Sequence, residues 1–123
     1  MKSNPVGWFE IYVQDVERAK AFYEAVLQVK LEKLNSPGLT MWSFPGGPTQ
    51  SGATGALVKM DGVPSGGNST LIYFVCEDCA VEEGRVTANG GRVHRSKMSI
   101  GEYGFISLVL DTEGNMVGLH SRR

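Results

Sequence analysis

Residues 7–15 read GWFEIYVQD, and residues 70–78 read TLIYFVCED. Both alternate, both end on an aspartate, and a helical pattern follows each. Side chains alternate across a strand, so each run has two faces. In the first run Phe9, Ile11 and Val13 form an apolar face suited to packing on a helix. Trp8, Glu10 and Tyr12 form the other, aromatic and acidic, which reads as a cavity wall or a solvent face. In the second run Ile72, Phe74 and Cys76 oppose Leu71, Tyr73 and Val75.

The pattern continues outward from each run in the same order. Asp15 is a good helix N-cap, and Glu17 suits the positive end of the helix dipole. Val16, Ala19, Phe22, Tyr23, Val26 and Leu27 then recur at helical spacing. Strands are expected over 31–35, 39–44 and 55–60, with a turn at 36–38 and a Gly/Pro/Ser/Thr/Gln loop at 46–54. After the connector DGVPSGGNS (61–69), strand 70–76 precedes a helix capped by Asp78, with Cys79, Val81, Val86 and Ala88 inward. Asn89-Gly90-Gly91 ends that helix. Strands at 92–95, 105–110 and 116–121 complete the order, with loop IGEYG at 100–104 and turn DTEGN at 111–115.

At one common offset Ile11 meets Phe74, Val13 meets Cys76 and Asp15 meets Asp78. Gly55-Ala56-Leu57-Val58 likewise meets Val117-Gly118-Leu119-His120, whereas inside the helices the match fades and Phe22 meets Arg85. The reading is α+β: two tandem β-α-β-β-β units, about 5–60 and 70–121, sharing a core within one domain of residues 1–123.

Composition narrows the function. A chain of 123 residues with 41% hydrophobic content has enough material for a real core. Its net charge of -1, with 12 scattered Lys and Arg, leaves no basic field for nucleic acid or acidic membranes. No stretch approaches the roughly 18 apolar residues of a membrane span. The opening MKSNP lacks the apolar centre of a signal peptide, so a cytoplasmic location is expected. Cys76 and Cys79 form a lone C-x-x-C. No second Cys/His pair completes a zinc site, so two buried small side chains are the reading preferred over a redox dithiol.

The doubled unit resembles the vicinal oxygen chelate superfamily, which includes glyoxalase I, bleomycin-resistance proteins, fosfomycin-resistance proteins and extradiol dioxygenases. The residues that carry the resemblance are WFEIYVQDVERAKAFYEAVL (8–27) and IGEYGFISLVLDTEGNMVGLHS (100–121). It implies that each unit curls its sheet into half of a barrel-like cleft, and that the protein is a homodimer. This fold hosts isomerases, oxygenases, transferases and pure binders, so it marks the reaction poorly. Metal-dependent members carry a His, Glu or Gln on the first and last strand of each unit. The first-strand position, seven residues before the capping Asp, falls here on Trp8 and Leu71. The last-strand position falls on Gly118 and its counterpart Ala56. None of these side chains binds a divalent ion. A shift by two positions yields Glu10 and His120, but Tyr73 and Val58 in the matching slots.

No cofactor or metal is therefore expected. The expected function is binding of a small organic molecule, without metal. The alternatives are a metal-dependent lyase, isomerase or dioxygenase of the glyoxalase I type, and a dimeric accessory protein with a closed cleft. The candidate ligand-binding residues are Trp8, Glu10, Tyr12, Trp42, Tyr73, Tyr103 and His120. Aromatic rings there stack on flat ligands and offer OH and NH contacts. Both faces of the strand bearing Trp42 are plausible cleft walls. Glu10 is also a candidate general base, with a ligand contact and a structural carboxylate as the other readings. His94 is expected to be exposed.

Overall fold

A computed structural model describes residues 4–47 and 50–123; Pro48 and Thr49 of the 46–54 loop lie outside the described residues. Among the described residues, eight strands form two four-stranded sheets, accompanied by two α-helices. Unit one comprises β1 (Trp8–Tyr12), α1 (Val16–Leu27), β2 (Glu32–Leu34), β3 (Thr40–Ser43) and β4 (Thr54–Lys59). Its sheet order is β1-β4-β3-β2, with β1 parallel to β4 and the other pairs antiparallel. Unit two comprises β5 (Tyr73–Val75), α2 (Cys79–Glu83), β6 (Arg92–Ser99), β7 (Phe105–Leu110) and β8 (Met116–Ser121). Its order, β5-β8-β7-β6, repeats the first. The α+β class and the tandem units are as the sequence predicts. The two sheets stay separate and do not close into a barrel.

Both capping aspartates act as expected. The Asp15 carboxylate accepts from the Arg18 N–H at 3.0 Å, and Asp78 accepts from the Ala80 N–H at 3.0 Å. Helix α1 ends on Gln28, whose backbone is left-handed (φ 55) and whose side-chain amide donates to the Ala25 carbonyl at 2.7 Å. That bond satisfies one of the carbonyls the helix end leaves free.

Strand β5 covers only Tyr73–Val75 of the expected 70–76, and two further elements differ. The second helix is α-helical only to Glu83. Beyond Gly84 the Arg85 and Val86 N–H groups bond three residues back, and a 3₁₀ turn follows at Thr87–Asn89. Gly84 weakens the helix interior, and the tighter turns absorb the stretch down to Gly90. Strand β6 runs to Ser99 rather than Arg95, because register shifts after Val93 and Arg95 break its alternation.

One core serves both units. Phe9, Tyr23 and Phe44 of unit one meet Phe74 of unit two with ring centroids 5.6–6.3 Å apart. Ile11, Phe22, Val26, Val86, Val109 and Leu119 close around them, all buried. The seam is also stitched by polar groups. The Glu113 carboxylate, in the turn between β7 and β8, accepts from the backbone N–H of Gln14 and Asp15 and from Arg18. Buried Tyr23 donates its hydroxyl to Asp111 at 2.6 Å. No helix among the described residues is long and apolar enough to cross a membrane.

Candidate functional site: the outward face of the first strand

The β1–β4 register decides which side chains share a face. Trp8 pairs with Thr54, Glu10 with Ala56 and Tyr12 with Val58. Phe9 and Ile11 turn inward to the core, so Trp8, Glu10 and Tyr12 project outward in a row. Ala56 and Val58, buried beneath, give that row a smooth apolar floor.

The three outward side chains are bonded to one another. The Glu10 carboxylate accepts from the Trp8 indole N–H at 3.1 Å and from the Tyr12 hydroxyl at 2.7 Å. The hydrogen bond to Glu10, then burial and the Glu10 charge, raise the Tyr12 phenol above its ordinary value, so it stays a proton donor. Glu10 belongs to no ion pair among the described residues. Its charge is held by two neutral donors and is not cancelled.

Unit two presents a corresponding face. Tyr73 pairs with Gly118, and Val75 with His120. The Tyr73 ring lies across Gly118 so closely that a Cβ at 118 would run into it. The His120 Nε2 sits 2.7 Å from the Tyr103 carbonyl, to which Arg122 also donates at 3.3 Å. A carbonyl has no proton to give, so Nε2 carries the hydrogen and Nδ1 is left as the acceptor. This bond anchors loop 100–104 and leaves the Tyr103 ring exposed at 64%.

The structure thus brings Trp8, Glu10 and Tyr12 together on one sheet, and places Tyr73, Tyr103 and His120 on or beside the other. Trp42 stands apart from both groups. It pairs with Leu57 and Lys33, packs against the core on the helix-covered face, and lies under the Lys20 ammonium at 4.6 Å. His94 is exposed, as expected.

Beside β1 lies a hollow of about 160 Å³, lined by Glu10, Tyr12, Asn68, Thr70, Ile72 and Asn115 among others. Glu10 is its one charged lining residue among the described residues. The connector 61–69 builds one wall. Asn68 brackets Met116, accepting from its N–H at 3.1 Å and donating to its carbonyl at 3.2 Å. Ser65 and Asn115 both donate to the Tyr12 carbonyl, at 2.5 and 3.0 Å. Sequence reasoning missed these residues, since none belongs to a periodic pattern; a Gly/Asn-rich stretch gives no sign of its distant partners.

The metal positions implied by the family resemblance do not gather donors. Trp8 and Leu71 are exposed apolar side chains, and Ala56 and Gly118 are buried with nothing to offer an ion. Among the described residues no group of three or more His, Cys, Asp or Glu is arranged to hold one. Cys76 and Cys79 are both free and buried.

Comparison with solved structures shows the same architecture. Glyoxalase I from Zea mays is 22% identical with a TM-score of 0.75, over 96% of this chain and 46% of the maize chain. This chain therefore spans about half the length of that protein. TnmS3, an antibiotic binding protein from Streptomyces sp. CB03234, is 22% identical with a TM-score of 0.74, and 98% of each chain is covered. A glyoxalase/bleomycin resistance protein from Albidiferax ferrireducens T118 is 20% identical with a TM-score of 0.67, over 97% of this chain and all of the other. No curated protein matches the sequence. The sequence profile of one family matches residues 6–119, and with the doubled β-α-β-β-β fold this makes the chain a member of the Glyoxalase/Bleomycin resistance protein/Dioxygenase superfamily.

Proposed function

We propose that this protein binds a small organic molecule with a flat apolar part, without a metal, on the outward faces of its sheets. The observation that carries the reading is the Trp8–Glu10–Tyr12 row. Two aromatic side chains there fix one carboxylate on an accessible strand, where a metal-dependent relative would need a ligand side chain. Exposed rings at Trp8 and Tyr73 give a flat ligand surface to stack on. Glu10 acts as a polar contact for the ligand rather than as a base, since two donors already occupy part of its acceptor capacity. The fold shared with TnmS3, an antibiotic binding protein, accords with this reading.

The functional unit is a homodimer. The outward strand positions of unit one include Glu10 and Glu32 and no Lys or Arg; those of unit two include Arg92 and Arg95 and no Asp or Glu. Opposite charge favours unit one of one copy facing unit two of another. Apolar exposure at Trp8, Leu71, Tyr73, Val75 and Met98 supports the same pairing.

Thermal-shift screening of planar aromatic compounds tests the binding reading, which predicts stabilisation lost in Trp8→Ala. Metal analysis of the purified protein, followed by a methylglyoxal–glutathione assay with Ni(II), Zn(II) or Mn(II), tests the enzymatic alternative. Turnover dependent on added metal overturns the proposal. Light scattering on a sizing column reads the dimer directly.

A further inference from the structure

The hollow beside β1 has a definite chemical preference. Its neutral polar groups are largely spent. The Asn68 amide donates to the Thr70 and Met116 carbonyls and accepts from the Met116 N–H. The Asn115 amide donates to the Tyr12 carbonyl and Asp111 and accepts from the Gly66 N–H. The Glu10 carboxylate has capacity left. Each oxygen accepts one bond, from Trp8 or from Tyr12, and a carboxylate oxygen accommodates about two. What the hollow can still offer at Glu10 is acceptor capacity and negative charge. Among the described residues no Lys, Arg or His lines it to neutralise that charge.

Size narrows the occupant further. Ligand pockets for drug-sized molecules run from about 300 to 1,000 Å³, whereas a cavity of about 150 Å³ holds a benzene ring. At about 160 Å³ the hollow takes one ring-sized or smaller group. Ile11, Ile72 and Val117 supply apolar wall, and the Tyr12 ring lies beside the carboxylate. A cation next to an aromatic ring gains from the ring's quadrupole as well as from the carboxylate.

From this geometry we infer that the hollow receives the protonated nitrogen of an organic amine, the head of a larger ligand whose remaining flat part lies over Trp8. The inference rests on the binding reading above and specifies its ligand class as cationic.

Three probes of similar shape separate charge from shape: benzylamine, benzyl alcohol and benzoate, titrated at pH 7 into the intact protein and followed by amide proton–nitrogen NMR shifts. Benzylamine is expected to bind about tenfold more tightly than either other probe, a charged hydrogen bond being worth at least that factor. Its largest shifts are expected at Glu10, Tyr12, Asn68 and Thr70. Glu10→Gln, confirmed folded by its unchanged spectrum elsewhere, is expected to bring benzylamine down to the benzyl alcohol level. Equal binding of benzylamine and benzyl alcohol, amine shifts centred elsewhere, or an unchanged preference in Glu10→Gln each overturn the cation assignment. In those cases the binding reading stands if any planar compound still stabilises the protein. If no compound of any charge shifts either spectrum or melting temperature, that reading falls too.

Discussion

Glu113 accepts from the Arg18 guanidinium at 2.8 Å, joining the last turn of unit two to the first helix of unit one. The same carboxylate takes the backbone N–H groups of Gln14 and Asp15 at 3.0 and 2.9 Å. Helix α1 therefore has two caps, one from its own Asp15 and one from the other unit. The Glu113 side chain is fully covered.

This arrangement sets an acid limit on stability. Burial pushes the Glu113 carboxyl up, but Arg18, the Asp15 N–H, the Thr112 hydroxyl and the Gln14 N–H together outweigh it and bring it from 4.5 to about 2. A group depressed in the folded state stabilises above its unfolded value and loses that contribution as pH falls toward the folded one. The contribution is present above about pH 4.5 and fades toward pH 2; at neutral pH it is worth up to about 3 kcal/mol. Urea denaturation of Glu113→Gln is expected to show a loss of about 2–3 kcal/mol at pH 7, reduced roughly by half at pH 3. An equal loss at both pH values contradicts the assignment.

Tyr23→Phe removes the buried hydroxyl that Asp111 accepts at 2.6 Å. Asp111 retains the Glu113 and Asn115 N–H groups and the Asn115 amide. The expected cost is about 1–2 kcal/mol, read by calorimetry. The Tyr23 phenol is driven well above its ordinary value, by burial first and then by Asp111. It stays protonated through pH 9, so the cost is expected to be flat between pH 6 and 9.

Gly91 and Gly118 separate two kinds of crowding. A Cβ on Gly91 lies 2.5 Å from the Leu110 carbonyl oxygen and 2.5 Å from the Phe22 ring, both fixed in the core. Gly91→Ala is expected to cost about 3 kcal/mol. The three atoms nearest a Cβ on Gly118 all belong to the Tyr73 ring, on a residue that is 44% exposed and can swing toward solvent. Gly118→Ala is expected to cost under about 1 kcal/mol while displacing Tyr73, visible as a change in tyrosine fluorescence.

Trp8→Ala separates binding from folding. Trp8 is 44% exposed, so its removal is expected to change stability by less than about 0.5 kcal/mol. The same change removes one donor to Glu10 and the exposed ring, and ligand-induced stabilisation is expected to vanish. Loss of the fold in Trp8→Ala overturns this assignment.

The cysteines are expected to be silent in the native protein. Burial, followed by the Glu82 carboxylate, pushes the Cys76 thiol up to about 12, and Cys79 is fully buried. Reaction with an aromatic disulfide reagent at pH 8 is expected to await unfolding, then to release two equivalents. Fast native-state reaction contradicts this.

The features legible in the sequence were those that repeat at short range. Alternation placed Phe9 and Ile11 inward and Glu10 outward, and Asp15 and Asp78 marked both helix starts correctly. Trp42 was undecidable, because Met41/Ser43 and Trp42/Phe44 give two plausible faces; the pairing of Trp42 with Leu57 settles it. The site's second wall was invisible for another reason. Ser65, Asn68 and Asn115 act through bonds to residues far along the chain, and Glu113 reaches Gln14 across almost the whole sequence. Periodicity carries no record of such bonds.

The Tyr73 ring resting on Gly118 has a consequence for how this chain can change over time. Any side chain introduced at 118, a carboxylate or an imidazole included, collides with the ring while Tyr73 stays in place. The two positions are coupled, so a route from this protein to one bearing a side chain at 118 begins by moving or replacing Tyr73. An intermediate with the ring displaced gives up an aromatic surface before it gains a new group, and selection for binding resists that first step.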